Sequence, residues 1–195
     1  IRDRLTVRKE EKNLYGEVFT PIELICEMLD KIPDDVWKNP DSKWLDPANG
    51  IGNFPVVVYY KLMESLKDVY VPGNFNGKSL SEHIIEDMLY MVELNSVNSK
   101  VCEKIFYMLD PKSKPNIITG SFIKGEGYKK IIEFDFKFDV VFGNPPYNSG
   151  GIKSKNTKNV QKNRKGYKTI WPKFVERSYD FLVDNGYLLY INPAS

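Results

Sequence analysis

One histidine and two cysteines are all that 195 residues hold of the usual soft metal ligands. Cys26 and Cys102 fall in helix-like stretches, with no Cys-x-x-Cys pair and no dense cysteine framework. That excludes a disulfide scaffold, and two reduced thiols in a cytoplasmic protein are expected. His83 has no cysteine or second histidine near it, so no metal site is expected; it reads as a surface residue of a short helix. No apolar run approaches the roughly 20 residues that cross a bilayer, and the start lacks the order of a signal peptide, so no membrane partner is expected. A charge excess is missing as well. The formal net charge is +2, and composition alone does not announce nucleic acid. The chain opens on Ile1 rather than Met and reads as an excerpt of a longer protein.

What is present suits one domain of ordinary size with a full core. The opening to about residue 14 is charged and weakly periodic, a helix or a tether. Thr20, Pro21 and Glu23 have the form of a capping box, and Ile22, Ile25, Met28, Leu29 and Ile32 follow at helical spacing. Residues 43–46 read as a strand, 54–67 as a helix, 81–87 as a short helix and 88–94 as a strand. Ser96 would cap a helix with Val97, Val101, Ile105 and Met108 on its apolar face. Residues 116–119 and 138–142 read as strands, 170–183 as a helix burying Phe174, Val175, Tyr179, Phe181 and Leu182, and 186–192 as a fifth strand. Strands alternating with helices predict an α/β fold, doubly wound, with a mostly parallel sheet and helices on both faces. Ligands of such sheets bind beyond the carboxyl ends of the strands. Those ends carry Asp46, Glu93, Ser121, Asn144 and Asn192.

Three of these ends have chemistry attached. After Asp46 and Pro47, glycines at Gly50 and Gly52 let the backbone turn tightly and approach a ligand. The third glycine of a dinucleotide fingerprint and the lysine of a phosphate loop are both missing, so this turn alone is a weak signal. An acidic strand end suits a cationic or amine-bearing ligand. Glu93, at the next strand end, can hold the two hydroxyls of a ribose. The sharpest signal is Asn144-Pro145-Pro146-Tyr147, directly after the apolar run 138–142. A rigid turn needs the prolines but neither the amide nor the ring. The Asn144 side-chain carbonyl and the Pro145 backbone carbonyl are two acceptors for one amine, and Tyr147 offers a flat face on which a base can stack.

These motifs together resemble the amino-group DNA methyltransferases that modify adenine. The matching features are Gly16-Glu17-Val18-Phe19-Thr20-Pro21, Asp46 to Phe54, Glu93, and Asn144 to Tyr147, in that order. The resemblance implies a Rossmann-like methyltransferase domain over residues 1–195, with a recognition domain expected beyond 195. It implies S-adenosylmethionine as cofactor and double-stranded DNA as partner, with a possible fused or associated nuclease. It gives Thr20 the methionine carboxylate, Asp46, Pro47, Gly50 and Gly52 the methionine part, and Glu93 the ribose. Ser121 stands where the family usually has the aspartate that reads the cofactor's adenine. Asn144, Pro145, Pro146 and Tyr147 become the catalytic cradle for the exocyclic amine of a flipped-out adenine, in a restriction-modification setting. The alternatives are an RNA or protein-glutamine methyltransferase with the same cradle, and a DNA-binding module without catalysis. From Gly150 to Lys168 the chain carries Lys153, Lys155, Lys158, Lys162, Arg164, Lys165 and Lys168 with no acid among them. A stretch of one sign that leaves the cradle directly is expected to meet the DNA backbone.

Overall fold

A computed structural model describes residues 20–149 and 168–193. The stretch Gly16 to Phe19, the opening charged segment, and Lys153, Lys155, Lys158, Lys162, Arg164 and Lys165 lie outside the described residues. In chain order the elements are α1 (Ile22–Leu29), α2 (Asp34–Trp37), β1 (Trp44–Asp46), α3 (Asn53–Leu66) and α4 (Leu80–His83). A π-helical turn (Ile84–Met88) leads into β2 (Leu89–Glu93), then α5 (Ser96–Leu109), β3 (Asn116–Thr119), α6 (Gly125–Ile132) and β4 (Phe138–Gly143). The ribbon strands β5 (Asn148–Ser149) and β6 (Lys168–Thr169), then α7 (Trp171–Phe181) and β7 (Leu182–Tyr190), complete the order.

Five strands form one sheet in the order β3-β2-β1-β4-β7, every pairing parallel. Alternate residues of each strand point to opposite faces, and here both faces are covered, so the central strands β1, β2 and β4 are largely apolar and buried rather than alternating. Trp44, Leu89, Met91 and Phe142 pack on one side with Ile25, Leu29, Val58, Leu62 and Phe106. Leu45, Tyr90, Val92 and Val141 pack on the other with Phe122, Phe174 and Phe181. Each such side chain, fully buried, contributes roughly 1.5–3 kcal/mol. The doubly wound α/β expectation holds.

Several local expectations do not. The helix α1 begins after Pro21 as its N-cap, with no side chain capping it, because the Thr20 hydroxyl is engaged elsewhere. The helix α5 turns a different face inward from the one its aliphatic spacing predicts. It buries Asn98, Ser99, Cys102 and Phe106, while Val97 and Met108 are 63% and 81% exposed. The reason is close approach. A Cβ on Gly52 would lie 2.7 Å from Cys102 Sγ, and Ser99 Oγ takes a 3.0 Å hydrogen bond from Thr119 Oγ1, so small polar residues fit where branched ones would not. The cap of α5 is Asn95, accepting from the Val97 N–H, and not Ser96.

His83 is buried rather than a surface residue. Its Nε2 donates to the Pro40 carbonyl at 2.7 Å, Nδ1 sits 3.0 Å from the Asp87 carboxylate, and Phe75 and Tyr70 pack on the ring. Helix α7 is shorter than predicted and leaves Tyr179 exposed. Leu182 already pairs with Phe138, and the register shifts before Tyr187 pairs with Val140, with Asn185 at a φ of 64° in between.

Candidate active site

The sheet reverses direction of growth at β1. From β1 the chain proceeds outward to β2 and β3, then returns to lay β4 on the other side of β1. Loops leaving the carboxyl ends of β1 and β4 therefore diverge, and the crevice between them is where such sheets hold ligands.

The β1 turn is built first. Asp46 is buried at the strand end and accepts from the Ala48 N–H at 3.0 Å; Pro47 is buried beside it. The Gly52 N–H closes back on the Asn49 carbonyl at 2.8 Å, and Gly52, with a φ of 100°, is the N-cap of α3. Glu93 then ties this turn to the next. One carboxylate oxygen accepts from the Gly50 N–H at 2.8 Å and the other from the Asn95 N–H at 2.6 Å. These two bonds orient the Glu93 carboxylate, an acceptor-only group, at the junction of the two turns. The Gly120 N–H donates to the Glu93 carbonyl, which places half-buried Ser121 one residue further along the same edge. Gly127 of α6 packs on the Gly120–Ser121 peptide so closely that an added Cβ would stand 2.8 Å from it.

The β4 end joins from the opposite side. Gly143 has a φ of 138°, and a Cβ there would lie 2.7 Å from Asp46 Oδ1. Only glycine meets both conditions. Immediately after it Asn144 donates through Nδ2 to Thr20 Oγ1 at 3.2 Å, Pro145 is buried, and Pro146 and Tyr147 are half-buried. Gly143, the residue before the cradle, thus brings β4 up against Asp46 at the end of β1. Behind them, Tyr190 pairs with Gly143 across β4 and β7; its hydroxyl meets Ser178 Oγ at 2.6 Å, and Ser178 in turn donates to the Phe174 carbonyl.

Electrostatics favour a cation here. Burial pushes the Asp46 carboxyl well above the usual carboxylate range, and the Glu93 charge adds to the shift while the Ala48 N–H opposes it. A positively charged ligand beside Asp46 would offset that cost. Among the described residues Asn49 Oδ1 is buried without a hydrogen-bond partner, and beside it Gly50, φ 55°, has none of their atoms within 4 Å of where a Cβ would stand.

The structure brings Thr20, Asp46, Pro47, Gly50, Gly52, Glu93 and the Asn144–Tyr147 cradle to one edge of the sheet. Asn192, also expected there, is exposed beyond β7. Phe174 belongs to the core, stacked on Phe122 with centroids 5.6 Å apart. Sequence reasoning missed Gly143, Asn95 and Tyr190. A glycine closing an otherwise apolar strand is the signal that could have revealed Gly143. Asn95 and Tyr190 have no sequence signal of comparable strength.

The family described as Eco57I restriction-modification methylase matches residues 43–195. This chain belongs to that family. Curated relatives of this Eco57I-type domain include an uncharacterized adenine-specific methylase of Mycoplasma pneumoniae, 35% identical over 94 residues, covering 47% of this chain and 21% of the relative. A second is the type II restriction enzyme and methyltransferase RM.Eco57I of Escherichia coli, 24% identical over 237 residues, covering 95% of this chain and 24% of the relative. Among solved structures, the ATP-dependent Type ISP restriction-modification enzyme LlaBIII bound to DNA matches with a TM-score of 0.61 at 19% identity, covering 91% of this chain and 15% of that one. The chain therefore spans about a fifth to a quarter of the curated relatives it matches. S-adenosylmethionine suits the Eco57I-type site on the structure's own terms: its ammonium and sulfonium are the cations a buried Asp46 calls for, and the unpaired Asn49 amide oxygen beside the open Gly50 turn is an acceptor for a ligand donor.

Proposed function

We propose that this domain transfers a methyl group from S-adenosylmethionine to the exocyclic amine of an adenine in double-stranded DNA, as the modification activity of a cytoplasmic restriction-modification enzyme. The observation that carries the reading is the close approach of the two strand ends, where Gly143, directly before Asn144, faces Asp46 too closely to carry an unstrained side chain. Thr20, Asp46, Pro47, the Gly50–Gly52 turn and Glu93 hold the cofactor, with Ser121 on its adenine side. The bound cofactor supplies an electrophilic methyl group on sulfur. The chain's own residues do the rest.

The adenine amine is a poor nucleophile because its lone pair is delocalised into the ring. Accepting its two hydrogens on Asn144 Oδ1 and the Pro145 carbonyl localises that pair and aims it at the methyl. With the cofactor bound, the amine nitrogen would form its bond to the methyl carbon as the sulfur–carbon bond breaks, sulfur keeping that electron pair, and the surplus proton would leave to water. A base in a duplex cannot reach this crevice, so the target flips out, and Tyr147 provides the face on which it stacks. Pro145 and Pro146 hold the cradle without ordering cost on binding. The deciding assay incubates the full-length protein with methyl-labelled cofactor and DNA, RNA or protein, then hydrolyses the product. Label is expected in N6-methyladenine from DNA; label in RNA or glutamine overturns the substrate, and no transfer at all overturns the enzyme.

Two further outcomes follow from the parts. Tyr147→Ala is expected to weaken binding of the flipped base by about 1–3 kcal/mol, measured against a duplex with an abasic target as reference. The second concerns the basic stretch. Strand β5 pairs antiparallel with β6, and the Ile170 N–H donates to the Tyr147 carbonyl at 2.9 Å, so the described residues on either side of this stretch, Ser149 and Lys168, pair with each other next to the cradle. That placement supports Lys153, Lys155, Lys158, Lys162, Arg164, Lys165 and Lys168 as contacts to DNA phosphates. Replacing Lys162, Arg164 and Lys165 with alanine should weaken binding to all sequences and flatten the salt dependence by about 0.9 in logarithmic slope per lost phosphate contact. Cofactor affinity should be unaffected. An unchanged slope would reduce the stretch to a connection.

A further inference from the structure

We propose that Thr20 decides which way the Asn144 amide faces, and that cofactor binding sets that decision. The inference rests on Asn144 being the amine cradle. An asparagine amide is nearly symmetric in shape, and turning it over exchanges an acceptor for a donor. With Oδ1 toward the target the amide accepts the amine's hydrogen; turned over, it presents hydrogens to hydrogens. Something must hold the productive orientation.

Thr20 is placed to do so. It is 7% exposed, and its Oγ1 accepts from Asn144 Nδ2 at 3.2 Å, a contact between residues 124 positions apart. Its position ahead of α1 would let it cap that helix, yet Pro21 is the N-cap and no side chain serves. The hydroxyl has been diverted from a local role to a long-range one. Nδ2 bound to Thr20 turns Oδ1 to the other side.

A hydroxyl by itself discriminates poorly, because it can accept from Nδ2 or donate to Oδ1. It discriminates once its own hydrogen is committed to a group that only accepts. A carboxylate is such a group, and the resemblance assigns the cofactor's methionine carboxylate to Thr20. With the hydroxyl hydrogen on that carboxylate, only lone pairs face Asn144, and only Nδ2–H can meet them. The resulting chain runs from the target amine into Asn144 Oδ1, from Nδ2 into Thr20 Oγ1, and from the Thr20 hydroxyl into the carboxylate. Thr20 is thus a positioning residue as well as a cofactor contact.

The test uses the full-length protein with Thr20→Val, close to threonine in shape but without the hydroxyl, and Thr20→Ser, which keeps it. Thr20→Ala is the second variant should valine disturb folding, and it is expected to behave as Thr20→Val. Affinity for S-adenosylhomocysteine, which carries the same carboxylate and no transferable methyl, is measured by calorimetry. Single-turnover transfer is measured with cofactor raised until the rate no longer increases. Thr20→Val should bind S-adenosylhomocysteine more weakly and, even when saturated, transfer about 5-fold to 150-fold more slowly, the span expected when a buried partner is left unpaired. Thr20→Ser should recover most of both losses. Weaker binding with a wild-type saturated rate would leave Thr20 as a carboxylate contact only. A slow saturated rate with unchanged S-adenosylhomocysteine affinity would break the link to the cofactor, and equal losses in Thr20→Ser and Thr20→Val would show packing rather than the hydroxyl at work. Each of these outcomes overturns the proposal. Failure of the underlying reading is separate and visible: Asn144→Ala would then transfer at the wild-type rate whatever Thr20 does.

Discussion

Asn144→Ala is expected to slow methyl transfer by about 10²–10³-fold at saturating cofactor, the range found when one preorganised polar group is removed from a reacting centre. On the proposed reading the Asn144 side chain accepts one hydrogen of the target amine, and the Pro145 backbone carbonyl would not hold both alone. Cofactor affinity should change little, because the turn that would hold it is organised independently, by Glu93 on the Gly50 and Asn95 N–H groups and by Asp46 on Ala48. The measurement is single-turnover transfer together with calorimetric binding of S-adenosylhomocysteine. A variant that keeps wild-type turnover would remove Asn144 from the chemistry.

Gly143→Ala is expected to damage both cofactor binding and fold. At a φ of 138° a residue with a Cβ carries backbone strain of about 1–3 kcal/mol. The added carbon would also stand 2.7 Å from Asp46 Oδ1 and 3.2 Å from its Cγ. Asp46 is buried and held by the Ala48 N–H, so it has little room to withdraw, and overpacking of this kind costs roughly a further 1–3 kcal/mol. Denaturant unfolding should show a loss of about 2–6 kcal/mol, the sum of the two effects. Gly50→Ala is the control. With a φ of 55° and nothing within 4 Å of the added Cβ, it should carry the backbone strain alone. Equal losses in the two variants would mean that contact with Asp46 is not what requires glycine at 143.

Much of the candidate site was legible because its motifs are local in sequence. Asn144 to Tyr147 follow one another, and so do Asp46 to Gly52; each motif carries its own backbone requirement and its own polar groups. The alternation of apolar strands and amphipathic helices likewise determined the doubly wound sheet, since a strand buried on both faces has no other way to cover them. Three readings failed where two distant segments compete for one residue. Thr20 has the chemistry of a helix cap, but its hydroxyl meets Asn144, which only the return of β4 to the side of β1 brings within reach. The aliphatic stripe of α5 predicts burial, yet the helix rotates to set Cys102 against Gly52 and Ser99 against Thr119, because close approach to the glycine turn admits only small side chains. His83 has a local partner in Asp87 four residues on, but what buries it, the Pro40 carbonyl and the Phe75 ring, meets it only once the chain is folded. Sequence by itself determined which polar groups stand at the strand ends, and the sheet that carries them. Tertiary structure decided which face of each element is buried and which partner each polar group takes. Both depend on packing between segments far apart in the chain, where a steric overlap of a few tenths of an ångström outweighs a local preference worth about 1 kcal/mol.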